Sequence, residues 1–143
     1  MRTAAERAAT DAPVLECRSV TLGYGAEPVI RELSLAVAAG ETLALLGPSG
    51  SGKTTLLYAV AGFVEPRVGE ILISGEVVGS TRRRVPPERR SVGVVFQNYA
   101  LWPHLTALET VAYPLRRSGI GAAEARRRSQ GLLDGMGVGR LAA

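Results

Sequence analysis

Nine consecutive residues, Gly47-Pro48-Ser49-Gly50-Ser51-Gly52-Lys53-Thr54-Thr55, leave this chain few ways to fold. They match G-x-x-x-x-G-K-[ST], a loop that curls its backbone around phosphate and sits between a strand and a helix. The flanks agree. Thr42 to Leu46 is a short, nearly all-apolar run between Gly40 and Gly47. That is the pattern of a strand buried on both faces of a parallel sheet. Lys53 to Ala61 predicts a helix with Leu56 and Val60 on one face and Gly62 as its stop. Glycines let the backbone come close to a phosphate, which a side chain would block. The turned-in amides form a nest, and the helix start adds positive potential. Lys53 supplies a compact charge for β- and γ-phosphates, and Thr54 a hydroxyl for Mg²⁺. Of 17 basic residues, Lys53 is the only lysine. A chain otherwise built with arginine keeps lysine where a planar guanidinium fits poorly.

The rest of the composition narrows the class. At 143 residues the chain is one domain by size, with enough material for a sizeable core. A hydrophobic fraction of 46% with 21% charged residues is that of a globular protein. No apolar run approaches membrane-spanning length. Residues 1–13 lack the apolar stretch of a secretory signal and read as a flexible leader, with the domain over 14–143. Cys17 is the only cysteine, so no disulfide can form within the chain. That suits a reducing compartment and a packed strand residue. The net charge is +4, with arginines clustered at 82–84, 89–90 and 126–128. A phosphate-rich partner and a solvated surface both fit such clusters. The solvated surface is favoured, because no aromatics interleave with the arginines as single-stranded nucleic acid would require.

Along the chain, Val14–Thr21 predicts a strand, Gly23-Tyr24-Gly25 a turn, and Arg31–Ala38 an alternating, half-buried antiparallel strand. Pro66–Gly69 reads as a turn, Glu70–Ser74 as a strand closed by Gly75, and Ser80–Arg90 as a basic, proline-containing loop. Ser91–Phe96 predicts another strand. A helix is expected from Thr106 to about Leu115, opened by a capping box with Glu109 and kinked or ended by Pro114. A second helix is expected from Ala122 to about Gly135. The fold class is α/β: a P-loop core with an antiparallel β flank, a parallel strand bearing the loop, and the start of a helical subdomain.

Three segments together resemble one family. They are Leu46 to Leu57, Pro86-Pro87-Glu88-Arg89-Arg90-Ser91-Val92-Gly93-Val94-Val95-Phe96-Gln97, and Tyr99-Ala100-Leu101-Trp102-Pro103-His104-Leu105-Thr106-Ala107-Leu108-Glu109-Thr110-Val111. Over about residues 14–141 the chain is similar to the N-terminal part of the ATP-binding subunit of bacterial ABC importers. These include importers of sugars, polyamines, ferric iron and sulfate. The resemblance implies ATP and Mg²⁺ as ligands. Tyr24 stands where the family stacks an aromatic on adenine, and Val29 where an apolar residue supports the base. Gly47, Ser49, Gly50, Ser51, Gly52, Lys53, Thr54 and Thr55 would hold the phosphates, with Ser49 facing the γ-phosphate. Thr54 and Gln97 would contact Mg²⁺. Lys53 and Gln97 would take the catalytic roles, Gln97 heading the Q-loop with the helical subdomain from about residue 98.

The same resemblance implies partners. Residues Tyr99 to Val111 would face the transmembrane permease subunits. A second ATP-binding subunit would complete a homodimer, and a solute-binding protein would act indirectly. The expected location is cytoplasmic, peripheral on the inner face of the cell membrane, with no nucleic acid partner. The family's LSGGQ motif, its apolar strand ending Asp-Glu (Walker B) and its switch histidine have no match here. The aspartates are Asp11 and Asp134, and His104, the only histidine, lies elsewhere in the pattern. The chain therefore reads as a fragment whose parent hydrolyses ATP and which alone is inactive. Two alternatives stand beside it: a short non-hydrolysing nucleotide-binding or interaction module, and a DNA-handling ATPase of the ABC type.

Overall fold

The computed structural model describes residues 13–141. The leader expected over residues 1–13 lies, but for Pro13, outside the described residues. The chain divides into two compact units, one through Val94 and one from Val95.

The first unit is a four-stranded sheet with one helix. The strands are β1 (Leu15–Leu22), β2 (Ile30–Val37), β3 (Val68–Ile73) and β4 (Glu76–Ser80), in the order β2-β1-β3-β4. Every pairing is antiparallel. β2 alternates over Leu33–Val37 as its sequence predicts: Leu33, Leu35 and Val37 are half-buried, while Ser34 and Ala36 are exposed. The helix α1 (Lys53–Ala61) packs Leu56 and Ala59 onto Cys17, Val20, Leu22 and Ile71 of the sheet. Cys17 is 1% exposed, and burial pushes its thiol up to about 11. It stays protonated and inert, as a packed strand residue should.

β4 has no counterpart in the sequence reading. Its signal was the Ser74-Gly75 dipeptide between two apolar pairs. Both residues have positive φ (50° and 81°), the geometry of a two-residue hairpin turn.

Two expected strands do not form. Thr42–Leu46 and Ser91–Phe96 carry no strand pairing, and residues 41–48 run irregularly, with Leu46 92% exposed. The parallel strand expected to bear the phosphate loop is therefore absent among the described residues. The physical reason is the ladder. An apolar run becomes a strand only where a neighbouring backbone accepts and donates its hydrogen bonds. Among the described residues no strand lies against either run.

The second unit pairs two helices, α2 (Ala107–Arg117) and α3 (Ala122–Gly135). Leu108, Val111 and Leu133 form their small apolar contact. The predicted capping box is present. Glu109 N donates to Thr106 Oγ1 at 3.2 Å, and Thr106 N donates to Glu109 Oε2 at 2.9 Å. Those bonds, led by the one from the Thr106 backbone, hold the Glu109 carboxyl below the usual glutamate range. Pro114 does not end α2, which continues to Arg117. Only three residues follow the proline, and the capped first turn and buried Leu108 and Ala112 hold the helix ahead of it. Among the described residues no helix is long and apolar enough to cross a membrane.

Candidate nucleotide-binding site

The phosphate loop ends where the sequence places it, at the start of α1. Gly52 is the N-cap residue, with φ 94°. Glycine is required there twice over. The conformation is left-handed, and a Cβ would lie 2.7 Å from Cγ1 of Ile30 and 3.2 Å from Cγ1 of Val29. The loop is thus seated directly on the start of β2. No side chain caps α1, and its first turn holds no acidic residue. The helix presents bare amides and the positive end of its dipole, which together favour an anion.

Lys53 lies back over the loop. Its Nζ donates to the carbonyls of Gly47 and Pro48, each at 2.7 Å, and to Ser51 Oγ at 3.2 Å. The ammonium is therefore fixed over the loop with its charge uncompensated by any carboxylate in those contacts. Ser49, Ser51 and Thr54 are exposed beside it, whereas Thr55 is buried under the helix. Thr54 can offer its hydroxyl to a cation arriving with an anionic ligand; Thr55 serves packing.

A cleft of about 490 Å³ adjoins this loop. Val29 and Ile30 line it together with Ser51, Gly52 and Lys53. The structure thus brings Val29 to the loop. Tyr24 is outside that lining. It stands on the turn between β1 and β2, 66% exposed, with nothing packed over most of its ring. Gln97 belongs to the second unit, in a turn over residues 97–100. In that unit Trp102 packs edge-on against Tyr113, ring centroids 4.8 Å apart, and still keeps 41% exposure. Tyr99 and Leu101 are exposed more fully. No cluster of three or more His, Cys, Asp or Glu among the described residues could hold a metal ion.

Two arginines matter in ways that residue spacing does not reveal. Arg90 was read as part of a solvated basic run, but it is 5% exposed. Its Nη1 donates to the carbonyls of Ala59 and Val60, at 2.7 and 2.9 Å. Nη2 reaches Val78 O and Nε reaches Val85 O, both at 2.8 Å. A positive group thus closes the C-terminal end of α1, where the helix dipole favours it, and ties that end to β4. Burial lowers the pKa of this guanidinium, and Arg84 adds to the effect. Arg67, just before β3, donates to the carbonyls of Gly25 and Ala26 in the turn that carries Tyr24.

The family model described as ABC transporter matches residues 30–143. A relative from Nitrosomonas eutropha, named spermidine/putrescine import ATP-binding protein PotA, is 42% identical over 90% of this chain. A protein of the same name from Rubrobacter xylanophilus is 48% identical over 78% of it. The matches cover 34% and 28% of those relatives, so the chain spans about a third of their length. Among solved structures, the ATP-binding cassette MJ0796 is similar over 84% of this chain and 56% of its own, with a TM-score of 0.69 and 29% identity. It was solved as a dimer in a post-hydrolysis state bound to ADP and Pi.

Proposed function

This chain belongs to the ABC transporter family, and from that premise we propose that it is the nucleotide-binding part of an import ATPase subunit. The observation that carries the reading is the Lys53 ammonium, held by the Gly47 and Pro48 carbonyls beside the uncapped N-terminus of α1. Uncapped amides at a helix start with one fixed cation beside them are complementary to an anion, and the glycine loop admits phosphate.

In the proposed site the amides of residues 47–55 and Lys53 hold the phosphates, with Ser49 toward the γ-phosphate. Thr54 offers its hydroxyl to Mg²⁺, which would neutralise charge on the phosphate oxygens. Val29, already against the loop, supports the base, and Tyr24 stacks on it. Gln97 is assigned to the γ-phosphate and the attacking water on its sequence context alone. Domain limits of 14–143, with a helical subdomain from about residue 98, belong to the same proposal.

The relatives' names, which speak of import, and the dimeric neighbour support a set of proposed partners. They are a second ATP-binding subunit and membrane permease subunits, the latter docked on the exposed aromatic face around Tyr99 to Val111. A solute-binding protein would act through the permease. On this reading the protein works at the inner face of the cell membrane. Polyamines come first among solutes to assay, because that is what the named relatives import.

The test is nucleotide binding by the protein at its native length. Lys53→Ala should weaken MgATP binding at least about tenfold, the scale of losing one charge-assisted contact to phosphate. ATP-driven uptake of polyamine should fall to background. Unchanged MgATP affinity in the variant would overturn the reading.

A further inference from the structure

The turn from Gly23 to Pro28 projects from the edge of the sheet and carries Tyr24. Its two ends are closed by one backbone bond, Val29 N to Leu22 O at 2.8 Å. Its closure is tight: a Cβ on Gly23 would lie 2.9 Å from Glu27 O and from Pro28 Cα. The crest of the turn is gripped from outside by a residue 41 positions away, because Arg67 Nη1 donates to Ala26 O at 2.8 Å. Its Nη2 donates to Gly25 O. The backbone of Arg67 is itself fixed, its N–H donating to Thr21 O at 2.9 Å. That bond lies beside the β1–β3 pair Thr21 and Val68, at the base of the same turn. The guanidinium is thus a strut running from the base of the turn to its crest. Its planar fork meets two successive carbonyls through two separate nitrogens held at a fixed spacing.

We propose that Arg67 is a positioning residue for base recognition, holding the turn so that the Tyr24 ring is presented before nucleotide arrives. This rests on the reading of Tyr24 as the stacking residue. An exposed ring on a loose turn must be ordered on binding, and that ordering subtracts from the stacking it provides. With the crest held at two carbonyls, the ordering is already done. The side-chain bonds of Arg67 go to the Tyr24 turn and those of Lys53 to the phosphate loop, so the effect of Arg67 is confined to the base end of the ligand.

The experiment compares two probes, MgATP and magnesium tripolyphosphate, which has the phosphates and no base. It uses the native-length protein, with thermal melting as the control for folding. Tyr24→Ala should weaken MgATP about tenfold or more and leave tripolyphosphate unchanged. Arg67→Ala should weaken MgATP about three- to tenfold, also without effect on tripolyphosphate. Arg67→Lys, which can reach one carbonyl, should fall between. In the Tyr24→Ala background Arg67→Ala should add nothing, because the two act through one contact. The inference is overturned if Tyr24→Ala selectively weakens MgATP while Arg67→Ala does not, if the two losses add, or if Arg67→Ala weakens both probes alike. Should Tyr24→Ala spare MgATP, the stacking assignment itself falls, a result distinct from the other three.

Discussion

Arg90 brings a charge into the interior of the first unit and meets four backbone carbonyls there instead of a carboxylate. Two of those carbonyls end α1, and a third belongs to β4. Removing the guanidinium takes a charged donor from all four; Ala59 O keeps Gly62 N and Val78 O keeps Val85 N, but the loss of charge-assisted bonds inside the fold still outweighs that of an exposed hydrogen bond. Arg90→Met is expected to lower unfolding stability by roughly 2–4 kcal/mol, on the scale of breaking a buried charged network. Urea denaturation followed by circular dichroism measures it, and a change under about 0.5 kcal/mol, the level of a neutral surface substitution, would refute the role. Nothing in the local sequence separates Arg90 from Arg89 beside it. One is buried and one is exposed, and the carbonyls of Ala59, Val60, Val78 and Val85, two of them some 30 positions earlier, decide which. Lys53 is the opposite case. Its partners lie within six residues, so its place could be read from the motif.

At the scale of elements, what was legible was whatever closes on itself. α1 and α3 run as the sequence predicts, and α2 opens on the expected capping box. Helix bonds and caps join residues three or four apart, so a short window of sequence contains the whole interaction. The cap also gives α2 a pH dependence. The Glu109 carboxyl is held below the usual glutamate range, chiefly by bonds that exist only in the folded helix. A depressed folded-state value means that its contribution is complete above the unfolded value and is lost as pH falls through the folded one. Amide exchange at residues 107–109 should therefore accelerate below about pH 4.5 relative to the middle of α2. Glu109→Gln, which keeps the geometry without the titration, should flatten that response. An identical pH profile in the variant would remove Glu109 as the cause. Strands were less legible. β1 and β2 announced themselves by their apolar residues, yet Thr42–Leu46 has the stronger apolar run and forms no strand. The missed β4 has its cue in the hairpin turn and little in its own residues.

On the scale of the whole molecule, the two units differ in what holds them. The first has a continuous apolar core beneath the sheet, and the second a small contact around Leu108 and Leu133. Of residues 41–48 only Leu45 packs against the first core, while Leu43 and Leu46 are exposed and no ladder shields the amides of the run. For the 143-residue chain, hydrogen exchange should be fast at 42–46 and slow at the central amides of β1 and β3. Protection at 42–46 equal to that of β1 would mean that another strand lies against it. The sequence alone determined the phosphate loop, the helices with their caps, and the family, since each rests on residues close together in the chain or in long contiguous matches. The tertiary structure alone decided which apolar runs become strands, which arginine is buried, and that Arg67 reaches across 41 positions to the turn bearing Tyr24. Those outcomes depend on hydrogen-bond partners distant in sequence, and a partner's position is not written in the residue that needs it.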